Sequence, residues 1–230
     1  MGIVVKIVKT EPFHIQAYTL IRDEIMHNKL PFGERVSENM LAQQLNISRS
    51  PIREALRMLE RDKLVIATPA GYIVNPMPPD EIREVYECRM MLESFAAGLT
   101  AAHITDFDVG FLAACIDRSE RAHQREDAES VVMANTQFHE RIVSLCGNRN
   151  LCELHHLNNG LATMARFREF GNYKRDATYI KEHKSILKAL ESRDADAVER
   201  EMREHIAHDL AFYMQNYRES LRAAGGKDNV

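Results

Sequence analysis

The chain has 230 residues, of which 45% are hydrophobic and 28% charged, a composition typical of a globular protein with one large or two ordinary domains. A net charge of −4 argues against a protein that coats nucleic acid with its whole surface. The charge is uneven, because residues 1–78 carry ten basic and eight acidic side chains, whereas residues 79–230 carry twenty basic and twenty-six acidic ones. No apolar run approaches the roughly 18 residues of a membrane span, and four cysteines without CxxC or dense spacing favour a reduced, cytoplasmic protein.

The first segments of the chain predict a short leader and one helix. Residues 1–10 are mildly apolar and favour a frayed leader or an isolated strand. Residues 12–30 predict a helix because Ile15, Tyr18, Ile21 and Ile25 form one apolar stripe. The proline and glycine of residues 31–33 end this pattern.

Residues 34–64 contain two short helical patterns separated by a tight break. Ser37 and Ser48 are suited to cap the two helices, and Pro51 falls in the first turn of the second, where its missing N–H costs little. One face is apolar, through Leu41, Leu45, Ile52, Leu56 and Leu59. The other face carries hydroxyls and arginines at the start of the second helix: Ser48, Arg49, Ser50 and Arg53. This layout predicts a helix-turn-helix whose second helix enters the DNA major groove.

The residues that follow predict a wing, a linker and a helical second domain. Strand-forming residues on both sides of Pro69-Ala70-Gly71 predict a β-hairpin. We therefore place a winged helix-turn-helix domain at 11–75, a proline-rich linker at 76–80 and a helical domain at 81–222. Six or seven helices are expected there, near 80–103, 106–124, 127–146, 149–170, 176–192 and 194–222, followed by a disordered tail over 223–230.

These motifs resemble a known family of bacterial transcription regulators. The segments LPFGERVSE, LAQQL, SRSPIREALRMLE and PAGYIV resemble the winged helix-turn-helix of the GntR family. The segments VYECRMMLES, FHERIVSLCGN, EHKSILKAL and MREHI resemble the FCD ligand-binding domain of the FadR subfamily. The predicted fold is therefore mainly α, with a winged helix-turn-helix followed by an antiparallel, FCD-like all-α bundle. The resemblance implies a homodimeric regulator, more often a repressor than an activator, and not an enzyme.

Six residues are predicted to contact operator DNA. Arg49 and Arg53 lie four residues apart on one helix face, and arginine pairs bidentately with guanine. Ser48 and Ser50 are short donors suited to phosphates. The family resemblance adds Arg35 as a base contact and Gly71 at the wing tip. The alternative is that the arginines form a solvated face with Glu54 and Glu60.

Three histidines in the second domain are candidates for metal ligands. His139, His183 and His205 each lie on the apolar face of a different predicted helix, and converging imidazoles bind zinc, nickel or similar ions. Inward histidines are also common as ordinary core residues. The resemblance implies a divalent metal site with a fourth ligand at Asn135, where the family usually has aspartate. A neutral amide oxygen is a weaker ligand than a carboxylate.

Arg89 lies on the inward stripe of the first helix of the second domain, where a guanidinium needs an anionic partner. Either Glu93 supplies it one turn later, or Arg89 binds the carboxylate of a small organic-acid or sugar-acid effector, the class that the resemblance implies. Arg166 and Arg168 are undecided between cavity and solvent, and His155 is expected at the surface.

The leading functional hypothesis is a transcription regulator whose operator binding responds to an organic acid held near a metal. The alternatives are a regulator for which the metal ion itself is the effector and, less favoured, a metallo-hydrolase. The hydrolase is disfavoured because no inward carboxylate in the histidine motifs is an obvious general base.

Overall fold

The chain forms two compact units, one ending at Met77 and the other beginning at Pro78. The computed structural model describes residues 11–27 and 29–225, and side chains as far as residue 220. The predicted leader, 1–10, and the end of the predicted tail, 226–230, lie outside the described residues.

The N-terminal unit consists of three helices and a small sheet. Its elements are α1 (Phe13–Met26), β1 (Arg35–Val36), α2 (Glu38–Leu45), α3 (Arg49–Arg61), β2 (Val65–Thr68) and β3 (Gly71–Val74). The hydroxyl of Ser37 accepts a hydrogen bond from the Met40 amide at 3.4 Å, which caps the start of α2. Helix α1 packs against α3 through a core that includes Ile21, Ile25 and Leu56.

The wing is part of a three-stranded antiparallel sheet with the strand order β1-β3-β2. In the hairpin, Val65 pairs with Val74 and Thr68 with Gly71. The sequence did not predict β1, whose Arg35 pairs with Ile73 on the other side of β3. Two residues give too short a pattern to be recognised as a strand, but this pairing fixes the position of Arg35 beside the wing.

The C-terminal unit is a helical bundle. Its elements are α4 (Pro79–Ala101), α5 (Asp106–Gln124), α6 (Ala128–Ser144), α7 (Arg149–Phe167), a π-helical turn (Arg168–Asn172), α8 (Thr178–Glu191) and α9 (Ala195–Gly225). Helix α4 packs against α9, α7 and α6, and α8 packs against α9 and α5. The faces between these helices carry the core and, unusually for a core, several charged side chains.

The predicted fold class is confirmed, and further details besides β1 differ from the sequence-based expectation. Helix α4 begins at Pro79, inside the predicted linker 76–80. Helix α1 ends at Met26 rather than near residue 30. The end of the predicted fourth helix of this unit is the π-helical turn. Helix α9 continues through residues 223–225, which were expected in the tail. Within the described residues, none of the helices combines the length and apolar character needed to cross a membrane.

Candidate DNA-binding surface and metal centre

Helix α3 has one fully buried face and one exposed face. Ile52, Leu56 and Leu59 are buried, whereas Arg49 and Arg53 are exposed. This division follows from the periodicity of the sequence, because residues three and four positions apart share a face. The side chains predicted to contact DNA therefore project from the outer face of α3.

Arg35, Arg49 and Gly71 line one surface cleft between the helix-turn-helix and the wing. The Arg35 guanidinium donates a hydrogen bond from Nη2 to the carbonyl oxygen of Ala70 at 3.3 Å, which holds it against the wing turn. Gly71 has a φ of +116°, a conformation that side-chain-bearing residues rarely adopt. The structure thus brings these three predicted residues together.

Arg53 is held in a salt bridge on the same surface. Its Nε and Nη2 donate hydrogen bonds to the Glu38 carboxylate at 3.3 and 3.1 Å. Glu38 begins α2, so this salt bridge ties the guanidinium on α3 to the preceding helix. Such a pair orients a guanidinium as well as neutralising it.

Ser48 and Ser50 lie at the exposed start of α3. Ser48 is the N-cap residue, but within the described part of the chain its hydroxyl accepts no capping hydrogen bond. The hydroxyl and the first backbone N–H groups of α3 therefore form a donor set of the type that binds phosphate oxygens.

The second candidate site lies inside the helical bundle, where three predicted histidines meet. His139 on α6, His183 on α8 and His205 on α9 are all buried. Their Nε2 atoms converge, with 3.2 Å between His183 and His205 and 3.3 Å between His205 and His139. Phe138 stacks on the His183 ring at a centroid distance of 4.3 Å.

Carboxylates orient two of these imidazoles from behind. The Nδ1 atoms of His139 and His205 each lie 2.7 Å from a carboxylate oxygen, of Glu93 and Glu182 respectively. A carboxylate accepts hydrogen bonds, so Nδ1 of each ring carries a proton and Nε2 is the atom that faces the cluster. Histidines that ligate a metal ion characteristically donate their other ring N–H to a carboxylate in this way.

The electrostatic environment keeps two of the three imidazoles, those of His139 and His183, neutral. Burial lowers the pKa of His139 to about 3 and holds the pKa of His183 well below its ordinary value. Neutral imidazole is the form that ligates a metal ion. Asn135 lies one turn before His139 and is also buried, and its Oδ1 has no hydrogen-bond partner among the described residues. The four residues predicted as ligands therefore suit a divalent ion such as zinc or nickel.

Three buried arginines lie in the same bundle. The Arg89 guanidinium donates a hydrogen bond from Nε to the Glu93 carboxylate at 2.9 Å. Glu93 is thus the anionic partner that one of the two sequence-based hypotheses gave to Arg89. The Nη1 and Nη2 atoms of Arg89, however, make no hydrogen bond within the described chain, and neither do Nε and Nη2 of Arg166 or Nε of Arg175. Buried guanidinium N–H groups rarely remain unsatisfied, so an anion or ordered water is expected beside them.

Acidic side chains are also buried among these arginines. The acidic side chains buried in this region are those of Glu93, Glu169 and Asp209. Burial, together with the negative charge of Asp209, raises the pKa of Glu169 to about 8, so this carboxyl is mostly protonated at neutral pH. It is hydrogen-bonded to the hydroxyl of Tyr86. Burial and the neighbouring Arg89 lower the pKa of Arg166, which indicates mutual repulsion of two cations.

Several residues of this region were not assigned from the sequence. His155, expected at the surface, is buried on α7 with its Nε2 3.5 Å from Glu93. Arg166, which the sequence left undecided, is fully buried and donates to Thr136 at 3.2 Å. Arg175 comes from the connection before α8, where no periodic pattern indicates which residues turn inward. Asp209 could have been noticed, since it lies one turn after His205 on the same stripe.

A winged helix-turn-helix joined to a helical bundle with a buried polar site defines a DNA-binding transcription regulator, not an enzyme. Residues 14–71 match the bacterial regulatory proteins of the gntR family, and residues 84–208 match the FCD domain. The chain therefore belongs to the GntR regulators that carry an FCD domain.

Relatives and solved structures agree with this assignment. The uncharacterised HTH-type transcriptional regulator YdhC of Bacillus subtilis is 29% identical over 206 residues, which cover 89% of this chain and 92% of the relative. The HTH-type transcriptional repressor RspR of Escherichia coli is 27% identical, with coverages of 86% and 87%. A GntR regulator from Rhodococcus sp. RHA1 has a similar fold, with a TM-score of 0.76 at 23% identity and coverages of 88% and 97%.

Proposed function

We propose that this protein is a homodimeric repressor of the FadR subfamily, acting in the cytoplasm, whose operator binding is controlled by a small carboxylic acid bound beside a divalent metal ion. The DNA contacts are assigned to Arg35, Arg49, Arg53, Ser48, Ser50 and the backbone at Gly71. Repression is proposed because the similar protein RspR carries that description.

The metal site is proposed at Asn135, His139, His183 and His205. The observation that carries it is the convergence of the three Nε2 atoms, with those of His139 and His205 3.3 Å apart and their Nδ1 atoms bonded to carboxylates. A bound divalent ion would supply positive charge and open coordination positions for a carboxylate ligand. The protein holds the imidazoles in place through Glu93 and Glu182.

The acid is proposed to bind Arg89, with Arg166 and Arg175 as further donors. Unsatisfied N–H groups on all three side chains support this assignment. A planar guanidinium fits a carboxylate through two parallel hydrogen bonds. A ligand bound here controls DNA binding only to the extent that it prefers one of two conformations of the protein.

A titration with two ligands tests the regulatory proposal. Metal-stripped full-length protein is titrated first with Zn²⁺ or Ni²⁺ and then with a panel of hydroxy, dicarboxylic and sugar acids. At each step, fluorescence anisotropy measures its affinity for a DNA duplex selected from a random pool. We expect one acid to change DNA affinity about 5- to 150-fold, and only in the metal-loaded protein.

His183→Ala should abolish stoichiometric metal binding and the acid response. The control is His103→Ala, because His103 is exposed in the loop before α5, and this variant should keep both. A response to metal alone, with every acid silent, would instead identify the ion as the effector. Wild-type protein that binds no divalent ion would contradict the metal site itself.

Dimerisation is proposed through an apolar face formed by α4 and α7, two helices that pack against each other. Met91 and Phe95 on α4 are 70% and 50% exposed, and Leu154 and Leu157 on α7 are 55% and 73% exposed. Large apolar side chains grouped in this way mark protein–protein contact sites. The proposed occupant is a second copy of the chain, because a helix-turn-helix protein reads two half-sites as a dimer.

Phe95→Glu combined with Leu157→Glu should therefore convert the dimer to a monomer at micromolar concentration, as measured by sedimentation velocity. The matched control is Phe107→Glu on α5, an exposed phenylalanine outside this face, which should leave the dimer intact. Equal dissociation in the control, or none in the double variant, would place the interface elsewhere.

A further inference from the structure

One buried carboxylate reaches the histidine cluster from an unexpected helix. Asp209 lies one turn after His205 on α9, and its side chain is 4% exposed. Its Oδ2 is 3.4 Å from Nε2 of His205, the nitrogen that faces His139 and His183. Glu182, by contrast, approaches the same imidazole at Nδ1, from behind.

The carboxylate of Asp209 is held with one oxygen turned toward the cluster. Its Oδ1 forms an ion pair with Nη2 of Arg175, at a distance of 3.0 Å. Its Oδ2 lies 3.8 Å from Nη1 of Arg89, beyond hydrogen-bond distance, and is therefore available to a further partner. Asp209, His205 and Glu182 also form a group whose potential ligand atoms all lie within 4.8 Å of one another.

None of the four residues predicted as ligands carries a negative charge, and the carboxylates of Glu93 and Glu182 lie behind the imidazoles. The three histidines contribute imidazole nitrogens, and Asn135 contributes only an amide oxygen. A divalent ion in a buried, water-poor site is strongly disfavoured unless ligands or close neighbours offset its charge. Hard carboxylate oxygen is also a common zinc ligand alongside imidazole.

We propose that Asp209 is a metal ligand and supplies the anionic oxygen that Asn135 lacks, so that in this chain the carboxylate comes from α9 instead of α6. Arg175 is the positioning residue that keeps Oδ2 directed at the cluster. The inference rests on the proposed metal site, and it adds to that site a ligand beyond the four predicted from the sequence.

The test is an exchange of the carboxylate between the two helices. Zinc affinity of the metal-stripped full-length chain is measured by competition with a chromophoric chelator. Loss of a residue that only orients a ligand costs about 10- to 100-fold in metal affinity. Because Asp209 is proposed as a ligand itself, Asp209→Asn should weaken zinc binding by at least that much. The double variant Asn135→Asp/Asp209→Asn should recover most of that loss, because it returns one carboxylate to the site.

Two controls separate ligation from general damage. Asp108→Asn removes another buried carboxylate, one that pairs with Arg141, and should leave zinc affinity unchanged. Arg175→Met removes the ion pair but keeps the carboxylate, and should weaken binding less than Asp209→Asn. If the aspartate variants fail to fold, a crystal structure of the zinc-loaded wild type decides, with Oδ2 expected at about 2.0–2.2 Å from the ion.

Equal zinc affinity of Asp209→Asn and the wild type would overturn the role of Asp209 while leaving the histidine site intact. A double variant that binds no better than Asp209→Asn, or a zinc-loaded structure with Oδ2 outside ligand distance, would also overturn it. Wild-type protein that binds no zinc would remove the metal site and this inference together.

Discussion

Glu93→Ala should lower the free energy of unfolding by about 3–5 kcal/mol, the range observed when one partner of a buried ion pair is removed. The Glu93 carboxylate accepts hydrogen bonds from Nε of Arg89 at 2.9 Å and from Nδ1 of His139 at 2.7 Å, and all three side chains are fully buried. Without the carboxylate, the nearest ion pair of Arg89 is the one with Asp209 at 3.8 Å. A guanidinium desolvated in this way strongly destabilises the native state.

The surface of the same protein provides a matched control. Arg149 and Glu153 on α7 have the same four-residue spacing and the same Nε–Oε1 distance of 2.9 Å, but their side chains are 91% and 61% exposed. Glu153→Ala should therefore cost less than about 1 kcal/mol. Urea unfolding followed by circular dichroism at 222 nm, with a chelator present, compares the two variants. Similar losses in both would refute a specific effect of burial at Glu93.

Arg49→Ala should weaken operator binding by about 1–3 kcal/mol and relax the preference for guanine at one position of each half-site. Arg49 projects from the exposed first turn of α3 and lines the same cleft as Arg35 and Gly71. Arginine at this point of a recognition helix reaches base edges in the major groove. The variant is compared with the wild type by anisotropy titration on the selected duplex and on duplexes substituted at single positions.

Arg61→Ala is the control for nonspecific loss of positive charge. Arg61 ends the same helix, is 75% exposed and lies 3.8 Å from Asp62. Its removal should change affinity little, and to a similar degree for every duplex. Loss of a phosphate contact would reduce the magnitude of the slope of log affinity against log salt by about 1, whereas loss of a base contact changes the discrimination between bases. Unchanged base preference in Arg49→Ala would contradict the assignment.

Local order in the N-terminal unit could be predicted because it depends on neighbours in sequence. The Ser37 cap, the apolar spacing of Leu41, Ile52 and Leu56, and the glycine of the wing each act within a few residues. These short-range rules placed α2 and the hairpin correctly and identified the outer face of α3. Strand β1 could not be predicted, because two residues become a strand only through pairing with β3.

The sequence by itself determined the two-part organisation, the regulator family and the inward direction of His139, His183 and His205. Tertiary structure alone decided that their Nε2 atoms meet, since periodicity gives the direction of a side chain but not its depth or its partner on another helix. The same limit explains why buried His155 was expected at the surface and why Arg175, on a connection, gave no signal. It also explains Asp209, whose approach to His205 within 3.4 Å depends on where α9 packs and on its ion pair with Arg175.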